Sequence, residues 1–389
     1  MGALDGIKVL EAGLLVQGPQ AAATLGDWGA DVVKIELPGI GDQSRWLPPS
    51  PTHFVAPYFI ACNRGKRSLT LDLRRPEGRE TFLRLAEEAD VFISNFKSGT
   101  LDDWGLSYDE VAERNPRIVY AAGTSFGTEG TDAGREGADL SAQASGGLIS
   151  TIGADGDPHS PIAVTICDHI ACLNLVGGIS AALFARERTG RGQRIDVSLL
   201  GGQIWAQASE ITATLLTGEA PGRSNHGHPL IAGVYGVFPT ADGWIAIVGV
   251  AGPDRSRFYE LIGRADLDER FPEPLYFDDT KRAVFAALAD SLAERTTAEW
   301  CELFTEHRIR HAPVRDHAAV VADPNIWANG YLTRTADGDP VVASAVRFSD
   351  TPARTGETAP ELGQHTEEVL LEAGFTWDDI AALRDAAAI

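Results

Sequence analysis

Short apolar runs alternate with helical ones from Ile7 to Ala122, and that order leaves few folds open to the chain. Ile7 to Glu11 (IKVLE) reads as a strand, Gly13 to Pro19 as a loop and Gln20 to Trp28 as a helix of small residues. Ala30 to Leu37 (ADVVKIEL) is a second strand, stopped by Pro38-Gly39. A strand at Ser68 to Leu73, an amphipathic helix at Pro76 to Glu88 and a strand at Asp90 to Ser94 follow. A helix near Ser107 to Asn115 and a strand at Ile118 to Ala122 complete the series. Units of this kind predict a parallel sheet. Ligands on such sheets settle beyond the carboxyl ends of the strands, where Leu14 to Pro19 and Pro38 to Arg45 would lie. Gly39-Ile40-Gly41 is not a dinucleotide fingerprint, because neither a third glycine nor a helix follows at the needed spacing. No phosphate loop of the type GxxxxGK[ST] is present either.

The stretch Pro161 to Leu200 carries the most chemistry. An extended segment, Ile162 to Ile166, leads through Cys167-Asp168-His169 into a long helix rich in Ala, Gly and Leu. Arg186 and Arg188 gather at the helix end, Gly190 stops it, and Arg194 to Leu200 reads as a buried strand. Asp168 stands at the junction, where unpaired amides hold a carboxylate ionised at the mouth of the helix. The plain alternative is that Asp168 is only the N-cap.

Two further clusters sit near expected strand ends. Asn63, Arg64, Lys66 and Arg67 surround Gly65 and form a candidate phosphate cradle, with a solvated turn as the alternative. Asn95-Phe96-Lys97 follows a strand directly, where an aromatic and a cation suit a nucleotide. His307 and His311 are four apart on an expected helix, but no third ligand stands at a metal-site spacing, so no metal is expected. Cys167 and His169 point in different directions on an entering helix and do not make a thiol–imidazole pair. His226 to Pro229 is a candidate loop of backbone donors within Gly218 to Pro229, the clearest domain boundary. Beyond it, Asp242-Gly243 between two apolar runs is a strong hairpin signal, and Arg255 to about Arg310 is helical and charged. The expected division is a large domain at 1–217, completed by 320–389, and a smaller one at 225–319.

With 389 residues the chain has room for two or three domains. A net charge of −22 argues against nucleic acid or an anionic membrane as partner, yet leaves room for a local cation cluster around a small anion. No uninterrupted apolar run reaches the ~18 residues of a membrane span. Asp5 falls where an export signal needs its apolar core, and four scattered cysteines suit a reducing cytoplasm.

Blocks in order, from GIKVLEAG and QGPQAAATLGDWGADVVKIELPGIGD through CNRGKRSLTLDLRRPEG and ADVFISNFKSGTLDDWGLSYDEVAERNPRIVYAAGTSFG, resemble the family III CoA-transferases. SAQASGG, the helix ending RTGRGQRIDVSLL and the tail GQHTEEVLLEAGFTWDDIAAL extend the likeness over almost the whole chain. The resemblance implies an α/β fold with a large Rossmann-like parallel-sheet domain and a smaller α+β domain. It also implies a ring-like protomer in an interlocked homodimer. It matches Asp168 to the carboxylate that is acylated, with coenzyme A or acyl-CoA as co-substrate. Val16, Gln17, Asn63, Arg64, Lys66, Arg67, Asn95, Phe96, Lys97 and Asp139 are matched to the CoA-binding segments. The implied activity moves CoA from an acyl-CoA to a carboxylic acid through an aspartyl anhydride and an aspartyl-CoA thioester. Leu37 stands where some transferases carry a nucleotide-touching arginine, and the glycine-rich repeats that cover the formyl-CoA transferase nucleophile have no counterpart near residues 224 to 250. Two rivals share the resemblance. An α-methylacyl-CoA racemase needs a Gly-His-Asp acid/base segment, and here Gly137-Ala138-Asp139 has alanine in the middle. A silent CoA-binding protein would have no use for Asp168.

Overall fold

A computed structural model describes residues 1–48, 56–224, 227–271, 278–356 and 358–389. The chain forms two compact units. One comprises 1–146, 162–206 and 324–389; the other comprises 147–161 and 207–323. The first unit's middle segment therefore stops at 206 rather than 217 and its last begins at 324 rather than 320, while the second unit takes in 147–161 and 207–323 rather than 225–319. A break at Gln207 accounts for the earlier boundary: the helical stretch after Ser198 divides there into Leu199–Ala206 and Ala208–Thr217, one piece in each unit.

The larger unit is built on six parallel strands in the order β3-β2-β1-β4-β5-β6. They are β1 (Lys8–Ala12), β2 (Asp31–Glu36), β3 (Arg67–Thr70), β4 (Val91–Ser94), β5 (Val119–Thr124) and β6 (Arg194–Ser198). The helices between them are α1 (Gln17–Asp27), α2 (Pro57–Asn63), α3 (Pro76–Ala86), α4 (Thr100–Asp103), α5 (Tyr108–Arg114), α6 (Asp139–Ser145) and α7 (Ile166–Thr189). Leu199–Ala206, starting where β6 was expected to continue, is α8. Register is set by side-chain alternation. Along β4, Val91 and Ile93 pack with Ala21, Leu25, Leu175 and Ile179 on one face, while Phe92 joins Phe82, Leu69 and Tyr120 on the other. Both faces are covered, as a parallel sheet requires.

α7 is the longest helix. Among the described residues it is the one helix long and apolar enough, by length and composition alone, to cross a membrane, although charged and polar residues interrupt its apolar runs. Its apolar character has a local cause. Leu175, Val176 and Ile179 lie against the sheet and α1, and Arg186 pairs with Asp90 at 2.8 Å. Leu173 and Phe184 face outward at 65% and 67% exposure, an apolar stripe that this packing leaves uncovered.

The smaller unit has an antiparallel sheet of Val234–Pro239, Trp244–Val250 and His311–Pro313. Its hairpin turns at Asp242-Gly243, and Phe238, Phe258, Trp300 and Phe304 form its core. His311 is on a strand and His307 is the C-cap of Thr297–Glu306, so the two do not share a helical face.

Candidate active site

The chain leaves β1 for β2 on one side, while β4 pairs with β1 on the other. A crevice opens at such a switch point, between loops that diverge from the carboxyl ends of β1 and β4. Gly13 to Val16 comes from the first strand and Asn95 to Lys97 from the second. Asn95 joins them: its Oδ1 accepts from Leu14 N at 2.7 Å and its Nδ2 donates to Leu14 O at 2.8 Å. Leu15 takes φ 64°, a left-handed conformation that costs an L-residue roughly 1–2 kcal/mol. Val16 and Gln17 are buried, and α1 begins at Gln17 with no side-chain cap, so its first amides are free for other acceptors.

Asp168 is the third residue of α7, inside the first turn and not at the junction. The capping carboxylate is Asp139, the first residue of α6: its Oδ1 accepts from Cys167 N at 2.7 Å and Asp168 N at 3.3 Å, and its Oδ2 from Gln143 Nε2 at 2.6 Å. This differs from both readings of the sequence. Asp168 does not cap its helix, and Asp139, buried under that helix, supports α7 instead of presenting itself to a ligand. Asp168 is thereby released from capping. Its carboxyl is pushed up to about 7, first by burial and second by the charge of Asp139, against the Gln17 backbone N–H that faces it and favours ionisation. The helix terminus does not by itself keep this group charged.

The basic tetrad is not an open cradle. Asn63, Arg64 and Lys66 are buried. Arg64 pairs with Asp27, and Lys66 donates to Glu11 at 2.9 Å, Pro19 O at 2.8 Å and Asn63 Oδ1 at 2.8 Å. Arg67 opens β3 at the amino-terminal edge of the sheet, where Asp31, Glu368 and Glu372 neutralise it. The spacing of these cations resembles an anion site, but every charge is matched inside the protein, and in a parallel sheet the start of a strand is the wrong edge for the site.

Lys97 is half exposed, with Glu136 at 3.9 Å as a loose partner. Phe96 meets Trp104 edge to face at 5.3 Å between centroids. Both line a cleft of about 210 Å³ along the carboxyl edge, with Leu14, Leu37, Ile40 and Arg74 among its walls. Arg74 and Trp104 escaped the sequence reading. Arg74 lies just past β3, where the strand-end rule points, and Trp104 sits in the turn after α4, which has no strand-end signal. Leu37 contributes an apolar wall. Cys167 is buried, donates to Gln203 Oε1 at 3.1 Å and has its thiol pushed up to about 12 by burial, which suits a structural role.

In the smaller unit, His228 Nε2 lies 3.1 Å from Glu210 Oε1, and Leu230 N donates to His228 Nδ1 at 3.2 Å. His226 lies outside the described residues. Among the described residues no three His, Cys, Asp or Glu side chains group as metal ligands.

Fold and site together define an α/β enzyme with a half-buried aspartate facing the Gln17 N–H at the switch point and a cleft of about 210 Å³ along the carboxyl edge of the sheet. Residues 4–366 match CoA-transferase family III. The succinyl-CoA:mesaconate CoA-transferase of Haloarcula hispanica is 35% identical over 96% of this chain and 97% of its own. Human succinyl-CoA:glutarate CoA-transferase is 33% identical over 97% of this chain and 87% of its own. The crystal structure of a CaiB/BaiF family protein from Brucella suis superposes with a TM-score of 0.85 at 34% identity, covering 96% of this chain and 99% of that one. The chain belongs to CoA-transferase family III, whose members exchange CoA between acyl-CoA thioesters and carboxylates.

Proposed function

We propose that this enzyme takes CoA from succinyl-CoA and gives it to a second dicarboxylic acid, with Asp168 as the covalent carrier. The observation that carries the reading is a half-buried carboxylate freed from helix capping at the switch-point crevice. The substrate class rests on relatives named for succinyl-CoA with mesaconate or glutarate.

The Asp168 carboxylate attacks the thioester carbonyl, and collapse of the tetrahedral adduct expels CoA thiolate and leaves a succinyl–aspartyl anhydride. The thiolate then attacks the aspartyl carbonyl, releasing succinate and leaving aspartyl-CoA thioester. The acceptor carboxylate attacks that thioester, forming a second anhydride and freeing the thiolate again. Attack of the thiolate on the acceptor's acyl carbon yields the new acyl-CoA and restores Asp168. Dividing one exchange into four additions lowers each barrier, provided the thiolate stays in place. Burial supports this, because Asp168 is poorly solvated and correspondingly nucleophilic once ionised. The adenosine end of CoA rests in the cleft on Phe96 and Trp104, with Arg74 and Lys97 near its phosphates. Val16, Gln17 and Asn95 line the path to Asp168. Asn63, Arg64 and Lys66 serve indirectly, by supporting that path.

The apolar stripe of Leu173 and Phe184 supports a homodimer, and the likeness to the family extends this to the interlocked form of two ring-like protomers. Four free thiols suit a reducing cytoplasmic setting.

The test is intact-mass measurement after incubation with succinyl-CoA. The expected result is an adduct on Asp168 that hydroxylamine removes and Asp168→Ala lacks, followed by transfer to mesaconate or glutarate. Full transfer by Asp168→Ala would overturn the proposal. Exchange of an α-proton with no adduct would point to the racemase, and binding with neither to a silent protein.

A further inference from the structure

Beneath the loop that carries Val16 and Gln17 lie four charges that touch none of the reacting groups in the chemistry above. Glu11, Lys34 and Asp42 are fully buried and Lys66 is 4% exposed. Two cations balance two anions. Such a buried set is weak support for a fold, since apolar replacements of equal volume are often as stable. What the four touch is more informative.

Lys34 Nζ donates to Gly13 O at 3.0 Å and lies 2.9 Å from Asp42 Oδ2 and 3.3 Å from Glu11. Glu11 Oε1 accepts from Gly13 N at 2.7 Å, and Asp42 Oδ1 accepts from Leu15 N at 3.1 Å. Lys66 reaches Pro19 O at 2.8 Å. The quartet thus grips the backbone at Gly13, Leu15 and Pro19, on both sides of Gln17, and holds Leu15 in its left-handed turn.

We propose that Lys34, with Glu11, Asp42 and Lys66, is a positioning group for the transfer reaction: the quartet pins the Gly13–Pro19 loop so that the Gln17 N–H faces the Asp168 carboxylate. This rests on the reading of Asp168 as the acylated group. The groups facing Asp168 are Asp139 from α6 and the Gln17 N–H from α1, with Cys167 and His169 beside it on α7. Of the effects acting on Asp168, only the N–H favours the charged form, so a loosened loop raises the pH at which Asp168 ionises.

The test uses charge-matched pairs. Lys34→Met alone strands a buried charge and should unfold readily. The double variant Lys34→Met/Asp42→Asn removes one cation with one anion and keeps an acceptor for Leu15 N. It should melt within a few degrees of the unaltered enzyme. Its kcat should nevertheless fall at least about ten-fold, with KM for succinyl-CoA within about three-fold and the acid limb of the kcat profile moved to higher pH. Amide exchange over Gly13–Gln20 should accelerate. Lys66→Met/Glu11→Gln is a second balanced pair with the same expectation. Recovery of kcat together with stability, or an unmoved acid limb, would make the quartet merely structural and overturn the proposal. The exchange readout keeps the two ideas apart. Unchanged exchange in both pairs overturns positioning whatever the enzyme does, whereas an unaltered enzyme that forms no Asp168 adduct overturns the assignment of Asp168.

Discussion

Asp168 combines two properties that pull in opposite directions. As the proposed nucleophile it must be ionised, yet burial and Asp139 hold its carboxyl up to about 7. Turnover should therefore climb with pH through about 7, which a kcat profile between pH 5.5 and 8.5 reads directly. The same shift has a sign for stability. A carboxyl raised in the folded state contributes its stabilisation below its unfolded value near 3.8 and loses it as the pH rises through about 7. By pH 8 the cost of keeping Asp168 charged is about 2–4 kcal/mol. Asp168→Asn should abolish transfer while raising the melting temperature by a few degrees at pH 8 and leaving it nearly unchanged at pH 4. Equal melting of the two proteins at pH 8 would show that the site does not strain this carboxylate.

Among the elements, α7 depends on a cap supplied from another helix. Asp139→Ala removes the acceptor for Cys167 N and Asp168 N, at about 1–2 kcal/mol. It also removes the charge that raises Asp168, so the acid limb of kcat should move to lower pH, opposite to the shift expected for the loosened loop. Melting curves and pH profiles of one variant check both. The cleft walls make a separate prediction. Trp104→Ala and Arg74→Ala should each raise KM for succinyl-CoA by about five- to twenty-fold and leave kcat within about three-fold, since both line the carboxyl-edge cleft proposed for the nucleotide and neither touches the carboxylate.

At the scale of the whole molecule, α7 presents one face that the single chain leaves uncovered. Its inner face is committed to the sheet and α1, and its outer stripe of Leu173 and Phe184 is bare in the single chain. Sedimentation should find a dimer of twice 41.5 kDa. Phe184→Glu should weaken it at micromolar concentration without unfolding the protomer, since the residue is 67% exposed. A protomer that sediments as a monomer before any substitution would remove the dimer from the proposal.

The order of strands and helices was legible without coordinates, because each local period, two or 3.6 residues, is written in the chain itself. It led to β1 through β5, to α7 and its glycine stop, and to the loops at Leu14–Pro19 and Asn95–Lys97. The proposal of Asp168 as carrier came from the resemblance and not from periodicity. Tertiary structure decided what each charge is for. Arg64 and Lys66 look like an anion site along the chain, and only folding brings Asp27 and Glu11 against them. Asp139 and Asp168 stand 29 residues apart in sequence, so nothing local could reveal that the first caps the helix of the second and raises its pKa. Patterning follows from neighbours along the backbone, whereas a carboxylate's charge, partners and reactivity depend on groups that only the closed fold makes adjacent.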